Sequence, residues 1–393
     1  MKRLLIGWEL GGNHGHLTTC LHVTNALRAS YDVVFAVRDV RGASEILGDA
    51  AFSYVQAPVP MFRKSRARPA ANYSEMLLGE GYADFDLLRG LVHAWLTLLK
   101  RLEIDLVLVD HAPTALLACT IADIPAINIG NGFATPPSVF PMPCMRTWED
   151  IPEERLKRAD AAVNEQISKV ARSFSYTSDL ALAELFGGEN LLTCLPELDH
   201  YPQRSGGTYV GAIFSQPQTQ RVDWQGSGEG RVLAYLRPDV PGFLNAMVAL
   251  RECGAEVVAR IPGITKAQAR KLAGPRLRIA LAPIDFSHLL QDANVMVSYG
   301  SSGVVTESLL SGVPQLILAK VVEQQMLALR VAEWGGIAIR KDRSTERLDA
   351  DLSVLLSDQE CRRSVQDFAQ RNREYSSKDA VEKIANTVEA ILS

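Results

Sequence analysis

Residues 292–331 read DANVMVSYGSSGVVTESLLSGVPQLILAKVVEQQMLALRV. A short apolar run ends at Val297 and leads into a turn of small residues, 299–303, which opens a helical pattern. The first turn of a helix leaves unpaired backbone N–H groups and carries the positive end of the helix dipole. Small residues let an anion approach those groups closely. This strand, turn and helix therefore predict a diphosphate site. Its candidate residues are Tyr299, Gly300, Ser301, Ser302 and Gly303.

A second apolar run, 315–319, follows the tripeptide Gly-Val-Pro at 312–314 and leads into a second helical pattern. Strands that alternate with helices indicate a parallel sheet with right-handed crossovers. Glu323 and Gln324 lie directly after this second strand, where they either hold a bound sugar or form an ordinary first turn of a helix.

The same alternation of strands and helices occurs in both halves of the chain. The candidate strands are 2–7, 32–37, 105–110 and 126–129 in the first half, and 232–236, 256–260, 278–281 and 294–297 in the second. Residues 214–230 lack periodicity and are rich in Gln, Gly and Ser, as is typical of a linker. We therefore predict an N-terminal domain over residues 1–213, a linker over 214–230, a C-terminal domain over 231–370 and a C-terminal helix over 371–393.

Length and composition restrict the class of protein. A chain of 393 residues with 47% hydrophobic and 22% charged residues is long enough for two globular domains. The formal net charge of -4 disfavours a partnership with nucleic acid. The six Cys are scattered without a Cys-x-x-Cys pair, which predicts reduced thiols, no metal site and a cytoplasmic protein. No apolar run is long enough for a signal peptide or a membrane span.

The stretch at 292–331 resembles the donor-binding signature of family 1 glycosyltransferases of the GT-B fold. That signature runs His-Gly-Gly, a small residue, Gly or Asn, Ser or Thr, then Glu, Gly-Val-Pro, Asp-Gln and Asn-Ala. The departures are Tyr299 at the family His, Ser301 at the second Gly and Leu327 at the Asn. The resemblance implies an α/β fold of the GT-B type, in which two doubly wound Rossmann-like domains face each other across a cleft.

In the N-terminal half, the loop GGNHGH at 11–16 follows the first predicted strand. Glycosyl transfer to a hydroxyl needs a base, and a histidine has a pKa near neutrality. The base needs a carboxylate to orient its other ring nitrogen, and Asp110 ends a buried strand at the same predicted sheet edge. The resemblance also implies His16 as the base and Asp110 as its partner. His14 is a rival base, and Asp110 could instead cap the helix that begins near Pro113.

The resemblance implies further roles toward a nucleoside diphosphate sugar. Glu307 would hold the ribose hydroxyls, with a solvated helix carboxylate as the alternative. Glu323 and Gln324 would hold the hexose hydroxyls, and Pro283 lies in the loop 282–284 that would frame the nucleotide base. Arg237, which follows the predicted strand 232–236, either binds the diphosphate through its guanidinium or is a surface arginine.

The acceptor is expected to meet the N-terminal half. Residues 129–143, IGNGFATPPSVFPMP, are apolar and rich in Gly and Pro, so Phe133 either lines the acceptor site or belongs to a packed connection. His14 is a further candidate for contact with the acceptor. The basic stretch FRKSRAR at 62–68 either meets an acidic acceptor or is a solvated loop.

Together with these residues, the resemblance implies an inverting, metal-independent glycosyltransferase. It would move a hexose from a UDP- or TDP-sugar to a hydroxyl of a small, fairly hydrophobic acceptor, and would need no cofactor besides that co-substrate. The departures at Tyr299, Ser301 and Leu327 leave a second interpretation open, in which a catalytically weak GT-B protein binds a nucleotide sugar as an auxiliary or partner subunit. A third is a GT-B epimerase or hydrolase that acts on the donor itself.

Overall fold

The computed structural model describes residues 1–12, 15–48, 52–61, 68–214, 220–226, 228–339 and 347–393. The chain divides into two units, one of Met1–Ile213 with Ser376–Ser393 and one of Phe214–Tyr375. His14, most of the basic stretch at 62–68 and part of the predicted linker lie outside the described residues. Within the described part, no helix has both the length and the apolar character needed to cross a membrane.

The N-terminal unit is built on a seven-stranded parallel sheet. Its strands are β1 (Arg3–Trp8), β2 (Asp32–Val37), β3 (Ser53–Gln56), β4 (Leu106–Asp110), β5 (Ala126–Gly130), β6 (Glu189–Leu192) and β7 (Thr208–Tyr209). They lie in the order β3-β2-β1-β4-β5-β6-β7. The chain therefore builds outward from β1 on one side and then returns to add β4 on the other, which makes β1 and β4 the switch point of a doubly wound sheet.

Helices cover both faces of this sheet. They are α1 (Gly15–Leu27), α2 (Val40–Leu47), α3 (Tyr73–Leu77), α4 (Phe85–Arg101), α5 (Pro113–Ala122), α6 (Glu153–Ser173) and α7 (Leu182–Leu185), with a π turn at Leu78–Tyr82 and a 3-10 turn at Pro196–Leu198. The long helix α4 illustrates the local rules. Asp84 caps its first turn by accepting from Leu87 N, and Lys100 and Arg101 stand in its last turn, where the helix dipole favours positive charge.

The C-terminal unit repeats the architecture with a six-stranded parallel sheet. Its strands are β8 (Arg231–Tyr235), β9 (Glu256–Arg260), β10 (Leu277–Ala280), β11 (Val295–Ser298), β12 (Gln315–Leu318) and β13 (Ile337–Ile339). Its helices are α8 (Phe243–Glu252), α9 (Lys266–Leu272), α10 (Phe286–Leu290), α11 (Ser302–Leu310), α12 (Val322–Ala332), α13 (Leu348–Ser357) and α14 (Gln359–Arg371). The order β10-β9-β8-β11-β12-β13 places the switch point between β8 and β11.

The last helix, α15 (Ser377–Leu392), belongs to the N-terminal unit. Its buried residues Ala380, Ile384 and Val388 recur at helical spacing and join the same apolar cluster as α1. Ser377 Oγ also donates to the carbonyl of Ala212 at 3.2 Å. The chain thus ends by covering the face of the N-terminal sheet on which α1 lies.

A buried ion pair fixes the loop that follows β5. The Arg204 guanidinium donates to Asp199 Oδ2 at 2.5 Å and to the carbonyl of Gly132 at 3.0 Å, and Tyr209 Oη donates to the same carboxylate at 2.7 Å. Burial alone would raise the pKa of Asp199, but the hydrogen bond and charge of Arg204 outweigh it and hold the pKa below its ordinary value. The loop containing Phe133 is therefore held by charge as well as by packing.

Substitution of Arg204 should be severely destabilising. The side chains of Arg204 and Asp199 are 3% and 0% exposed, so Arg204→Ala leaves a buried carboxylate without its counter-charge, at a cost of about 3–5 kcal/mol of unfolding free energy. Arg172 and Asp179 form a matched pair on the surface, with side chains 54% and 87% exposed. Arg172→Ala should cost less than about 1 kcal/mol. Equal shifts of the urea midpoint for the two variants would contradict this account.

Candidate functional site

The first group of candidate residues lies where β1 and β4 end. Trp8 is paired with Asp110 in the parallel register, and His16 follows in the first turn of α1. His16 Nδ1 lies 2.9 Å from Asp110 Oδ1, and the two side chains are 17% and 4% exposed. A carboxylate can only accept, so Nδ1 carries the proton and the basic lone pair is on Nε2. The structure therefore brings the predicted base and its predicted partner together.

Asp110 uses its second carboxylate oxygen as well. Cys20 lies one helical turn after His16 on α1, and its Sγ donates to Asp110 Oδ2 at 3.5 Å. Burial, followed by the charge of Asp110, raises the pKa of the Cys20 thiol, which keeps it protonated as a donor. Asp110 is thus held from two positions on one helix. It does not cap α5, whose N-cap is Ala112 without a side-chain hydrogen bond.

Glu9 caps α5 instead, a role that the sequence patterns did not predict. The Glu9 carboxylate accepts from Thr114 N at 3.0 Å and from Ala115 N at 2.6 Å. Leu10 N donates to the carbonyl of His111 at 3.0 Å, so the loops after β1 and β4 are joined twice. Burial raises the pKa of Glu9 to about 7, although the hydrogen bonds from the helix lower it. The sequence feature that could have indicated Glu9 is its position as a carboxylate directly after an apolar strand.

Aromatic rings surround His16. The Trp8 ring stacks on it with centroids 5.6 Å apart and an interplanar angle of 24°. The buried His111 ring lies 6.0 Å from His16 on one side and 5.9 Å from Phe133 on the other. Phe133 itself is buried between His111 and His200. Buried aromatic rings therefore pack next to the dyad.

The second group of candidates lies after β11. Gly300 has φ = +85°, and a Cβ on it would fall 2.9 Å from Ile317 Cγ2, so only glycine fits there. Ser301 occupies the N-cap position of α11 without a side-chain hydrogen bond to the helix. A Cβ on Gly303 would meet no atom within 4 Å. The start of α11 therefore lacks a side-chain cap among the described residues and is open to an anion.

Tyr299 precedes this loop and is uncharged. Its ring is buried beside Tyr235, with centroids 5.2 Å apart. Burial, followed by the neighbouring Tyr235, raises the pKa of the Tyr299 hydroxyl above its ordinary value. Arg237 is exposed after β8 and lies 4.0 Å from the Asp239 carboxylate. Positive charge near the loop therefore has to come from arginine or from the helix dipole.

Glu307 lies in α11, beyond the small-residue loop. Its carboxylate forms no hydrogen bond or ion pair with another described residue. Burial, with a further contribution from the charge of Asp285, raises the pKa of Glu307 to about 7. The carboxylate is thus available to a ligand, and it changes protonation near neutral pH.

Some polar atoms of the remaining predicted residues already form hydrogen bonds within the protein. Gln324 Oε1 accepts from Lys320 N at 2.9 Å and from Val321 N at 3.3 Å, so this oxygen serves the first turn of α12. Glu323 lies beside it in the same turn and is partly exposed. Pro283 is exposed, and its carbonyl accepts from Gln220 N at 2.9 Å. Of the two polar atoms of the Gln324 side chain, the amide nitrogen is therefore the one that can serve a ligand.

Comparison with known proteins agrees with this architecture. Residues 244–391 match the family model described as Erythromycin biosynthesis protein CIII-like, C-terminal domain. No curated protein matches the chain. Among solved structures, glycosyltransferase VinC in complex with DTDP has a TM-score of 0.68 and 16% identity, with 99% of this chain and 98% of that chain covered. CalG4, the calicheamicin glycosyltransferase, has a TM-score of 0.68 and 20% identity, with 100% and 98% covered.

The protein has the GT-B fold. The predicted fold class is confirmed by these matches over nearly the whole chain, and the resemblance to glycosyltransferases of this fold is confirmed by the C-terminal family model together with them. The rhamnosyltransferase SpnG complexed with thymidine diphosphate is a further neighbour, with a TM-score of 0.66 and 18% identity over 98% of this chain and all of that one.

Gly300 should be the sensitive position in the loop of the C-terminal GT-B domain. Gly300→Ala forces a side chain into a left-handed backbone and against Ile317, which should lower the unfolding free energy by roughly 1–3 kcal/mol. Gly303→Ala is the matched control, because its Cβ meets open space within α11 and alanine favours a helix by up to about 1 kcal/mol. Thermal denaturation of both variants tests this. Equal melting temperatures would show that the loop does not need glycine at 300.

Proposed function

We propose that the protein is an inverting glycosyltransferase that moves a hexose from a thymidine or uridine diphosphate sugar to a hydroxyl of a small hydrophobic acceptor. The observation that carries this proposal is the hydrogen bond of 2.9 Å between His16 Nδ1 and Asp110 Oδ1. It gives a base with a fixed tautomer, next to buried aromatic rings. In the C-terminal domain, the start of α11 lacks a side-chain cap and can receive the diphosphate of the donor.

The proposed step is a single displacement at C1 of the sugar. His16 Nε2 takes the proton from the acceptor hydroxyl as its oxygen forms a bond to C1. The bond from C1 to the diphosphate breaks on the opposite side, and its electron pair leaves with the nucleoside diphosphate. Asp110 stabilises the imidazolium that forms. Because attack and departure occur on opposite faces, the configuration at C1 inverts.

The departing diphosphate gains negative charge, which the C-terminal domain has to stabilise. We assign this task to the backbone N–H groups at the start of α11, where the helix dipole adds partial positive charge. Arg237 offers a guanidinium after β8. We assign the ribose hydroxyls to the Glu307 carboxylate, and the hexose hydroxyls to Glu323 and to the Gln324 amide nitrogen. No metal ion takes part in this scheme.

The comparisons favour thymidine diphosphate as the nucleotide. The structures of VinC and SpnG contain DTDP and thymidine diphosphate respectively. A further SpnG structure contains the spinosyn aglycone, and CalG4 is named for calicheamicin. For the present chain, this supports a natural-product aglycone as the acceptor. The buried rings of Trp8, His111 and Phe133 around His16 support an acceptor with an apolar surface.

A nucleotide-sugar-binding auxiliary subunit is the second candidate function. Tyr299 and Leu327 support it, because both are buried apolar or neutral side chains where the resembled signature has polar ones. Such a protein would bind the nucleotide sugar without transferring it. A protein that only binds the nucleotide sugar does not need a base, so the His16–Asp110 pair favours the transferase.

Removal of His16 should abolish transfer and leave donor binding intact. His16→Ala takes away the proposed base, so kcat should fall about 10²- to 10⁴-fold, while the dissociation constant for the nucleotide sugar should stay unchanged. The assay screens TDP- and UDP-hexoses against a panel of aromatic and macrolide aglycones by mass spectrometry. His22→Ala, on the same helix, is the control and should remain within about twofold of the wild type.

The outcomes separate the candidate functions. Full activity of His16→Ala would refute His16 as the base. Tight binding of a nucleotide sugar by the wild-type protein, without transfer to any acceptor, would favour the auxiliary subunit. Release of free or epimerised sugar without an acceptor would indicate a hydrolase or epimerase that acts on the donor.

Donor affinity should depend on pH through Glu307. With a pKa of about 7 in the folded protein, the carboxyl is mostly protonated at pH 6 and mostly ionised at pH 8. The ribose hydroxyls donate to the ionised form, so binding should strengthen as pH rises, by about tenfold between pH 6 and pH 8. An intact TDP-hexose is the right ligand for calorimetry, because its diphosphate does not titrate in this range.

Glu307→Gln supplies the control for this pH dependence. The glutamine keeps a hydrogen-bond acceptor but does not titrate. The affinity of this variant for the TDP-hexose should therefore be the same at pH 6 and pH 8, and at pH 8 it should be weaker than the affinity of the wild type. A wild-type affinity that is flat from pH 6 to pH 8, or a variant that keeps the full pH dependence, would remove Glu307 from the ribose site.

A further inference from the structure

Arg260 ends β9 with a guanidinium that has no counter-charge in the described part of the chain. The residue is half-buried, and its side chain forms no hydrogen bond or ion pair with another described residue. Two other half-buried arginines of the same domain are paired, Arg231 with Asp292 at 3.1 Å and Arg278 with Glu256 at 2.8 Å. Proteins seldom bury a cation without a partner. An unpaired guanidinium at the end of a strand is therefore a candidate for binding an anion from solution.

The strand register places Arg260 in the same row as the loop before α11. Arg260 is paired with Tyr235 across β9 and β8, and Tyr235 is paired with Ser298 across β8 and β11. Paired residues of parallel strands project from the same face of a sheet. The ends of β9 and β11 are two strand spacings apart, roughly 10 Å. An arginine side chain and a diphosphate can span that distance together.

Tyrosine rings connect the two strand ends. Tyr299 N donates to the Tyr235 carbonyl at 3.3 Å, and the two rings lie 5.2 Å apart. Burial lowers the pKa of Arg260, whereas the neighbouring Tyr235 hydroxyl raises it. The charge of Arg237 lowers the pKa of the Tyr299 hydroxyl, although burial outweighs it. Each of the two tyrosines therefore interacts electrostatically with one arginine, Tyr235 with Arg260 and Tyr299 with Arg237.

The carboxylate closest to this group along the chain is already occupied. Asp239 is hydrogen-bonded to Lys320 Nζ, which lies just after β12, and it also lies 4.0 Å from Arg237 Nε. Asp239 therefore serves two cations. Among the described residues, Arg260 therefore keeps a guanidinium that no carboxylate pairs, and a bound anion would neutralise it.

We propose that Arg260 binds the diphosphate of the nucleoside diphosphate sugar. This inference rests on the proposed function for its ligand. A guanidinium can contact two phosphate oxygens at once through its planar fork, and it supplies the charge that Tyr299 lacks. Arg260 would then act together with the start of α11, from a strand that carries none of the motif at 292–331.

Three variants and three ligands test the assignment. Arg260→Met keeps the apolar stem without the charge, Arg260→Lys keeps a point charge, and Arg270→Ala removes an exposed arginine of α9 as the control. Calorimetry measures inorganic pyrophosphate, TDP and thymidine. Arg260→Met should weaken pyrophosphate and TDP by about 10- to 100-fold, with Arg260→Lys between it and the wild type. All three variants should bind thymidine within about twofold of the wild-type affinity. Arg270→Ala should also bind pyrophosphate and TDP within about twofold of the wild type.

Stability without a ligand distinguishes binding from a structural role. An unpaired, half-buried cation costs folding free energy, so Arg260→Met should melt at the same temperature as the wild type or higher, yet lose the stabilisation that pyrophosphate gives. A lower melting temperature with unchanged pyrophosphate affinity would overturn the proposal in favour of a structural arginine. Equal losses for thymidine and TDP would also overturn it, because the contact would then be with the base or the ribose.

The pyrophosphate measurement keeps this inference separate from the proposed transfer. If the wild-type protein binds pyrophosphate through Arg260 but moves no sugar, the anion site stands and the transferase fails. If sugar is transferred and Arg260→Met binds pyrophosphate and TDP as well as the wild type does, the transferase stands and Arg260 has no part in the diphosphate site. Failure of the wild-type protein to bind pyrophosphate or TDP would overturn the assignment of Arg260.

Discussion

The parallel pairing of β1 with β4 is the constraint on which the N-terminal site depends. It places Trp8 opposite Asp110, so the loop that carries His16 and the strand end that carries Asp110 meet at one edge of the sheet. The helices that follow the two strands pack into different apolar clusters, α1 with α15 and α5 with α4. The chain therefore diverges to opposite faces after β1 and β4 and leaves their ends accessible, as doubly wound sheets do at a switch point.

The dyad is held by atoms that take no part in the proposed chemistry. Cys20 fixes one oxygen of Asp110 while His16 uses the other, so the carboxylate cannot rotate without losing a hydrogen bond. Glu9 fixes the start of α5, directly after the Asp110 loop, through two backbone N–H groups. Since these groups are buried, each lost bond would leave a polar atom unsatisfied. A rigid surround of this kind maintains the geometry that general-base catalysis needs.

Much of the fold follows from local pattern, and the exceptions have physical causes. The strand Glu256–Arg260 has the limits that its apolar run predicts. The helix α6 (Glu153–Ser173) was not predicted, although its buried positions Leu156, Val163 and Ile167 recur at helical spacing among many charged residues. The meeting of His16 with Asp110 follows from their positions after strands, although their catalytic roles stay predictions. Glu9 and Cys20 were not predicted, because no sequence motif marks them and their roles depend on hydrogen bonds that only the folded chain forms.

A sequence motif contains only the residues that one loop contributes to an anion site. The complete site can also include residues from other strand ends at the same edge of the sheet. At the end of β11 the helix start and the glycine at 300 depend on local geometry, so they have to lie within one stretch of sequence. Charge does not have this restriction, because electrostatic attraction acts over several ångströms and in many orientations. A neutral Tyr299 is therefore compatible with an anion site when β8 or β9 ends in an arginine. The departure of the motif at 299 and the unpaired guanidinium at 260 are, in this view, two parts of one charge balance.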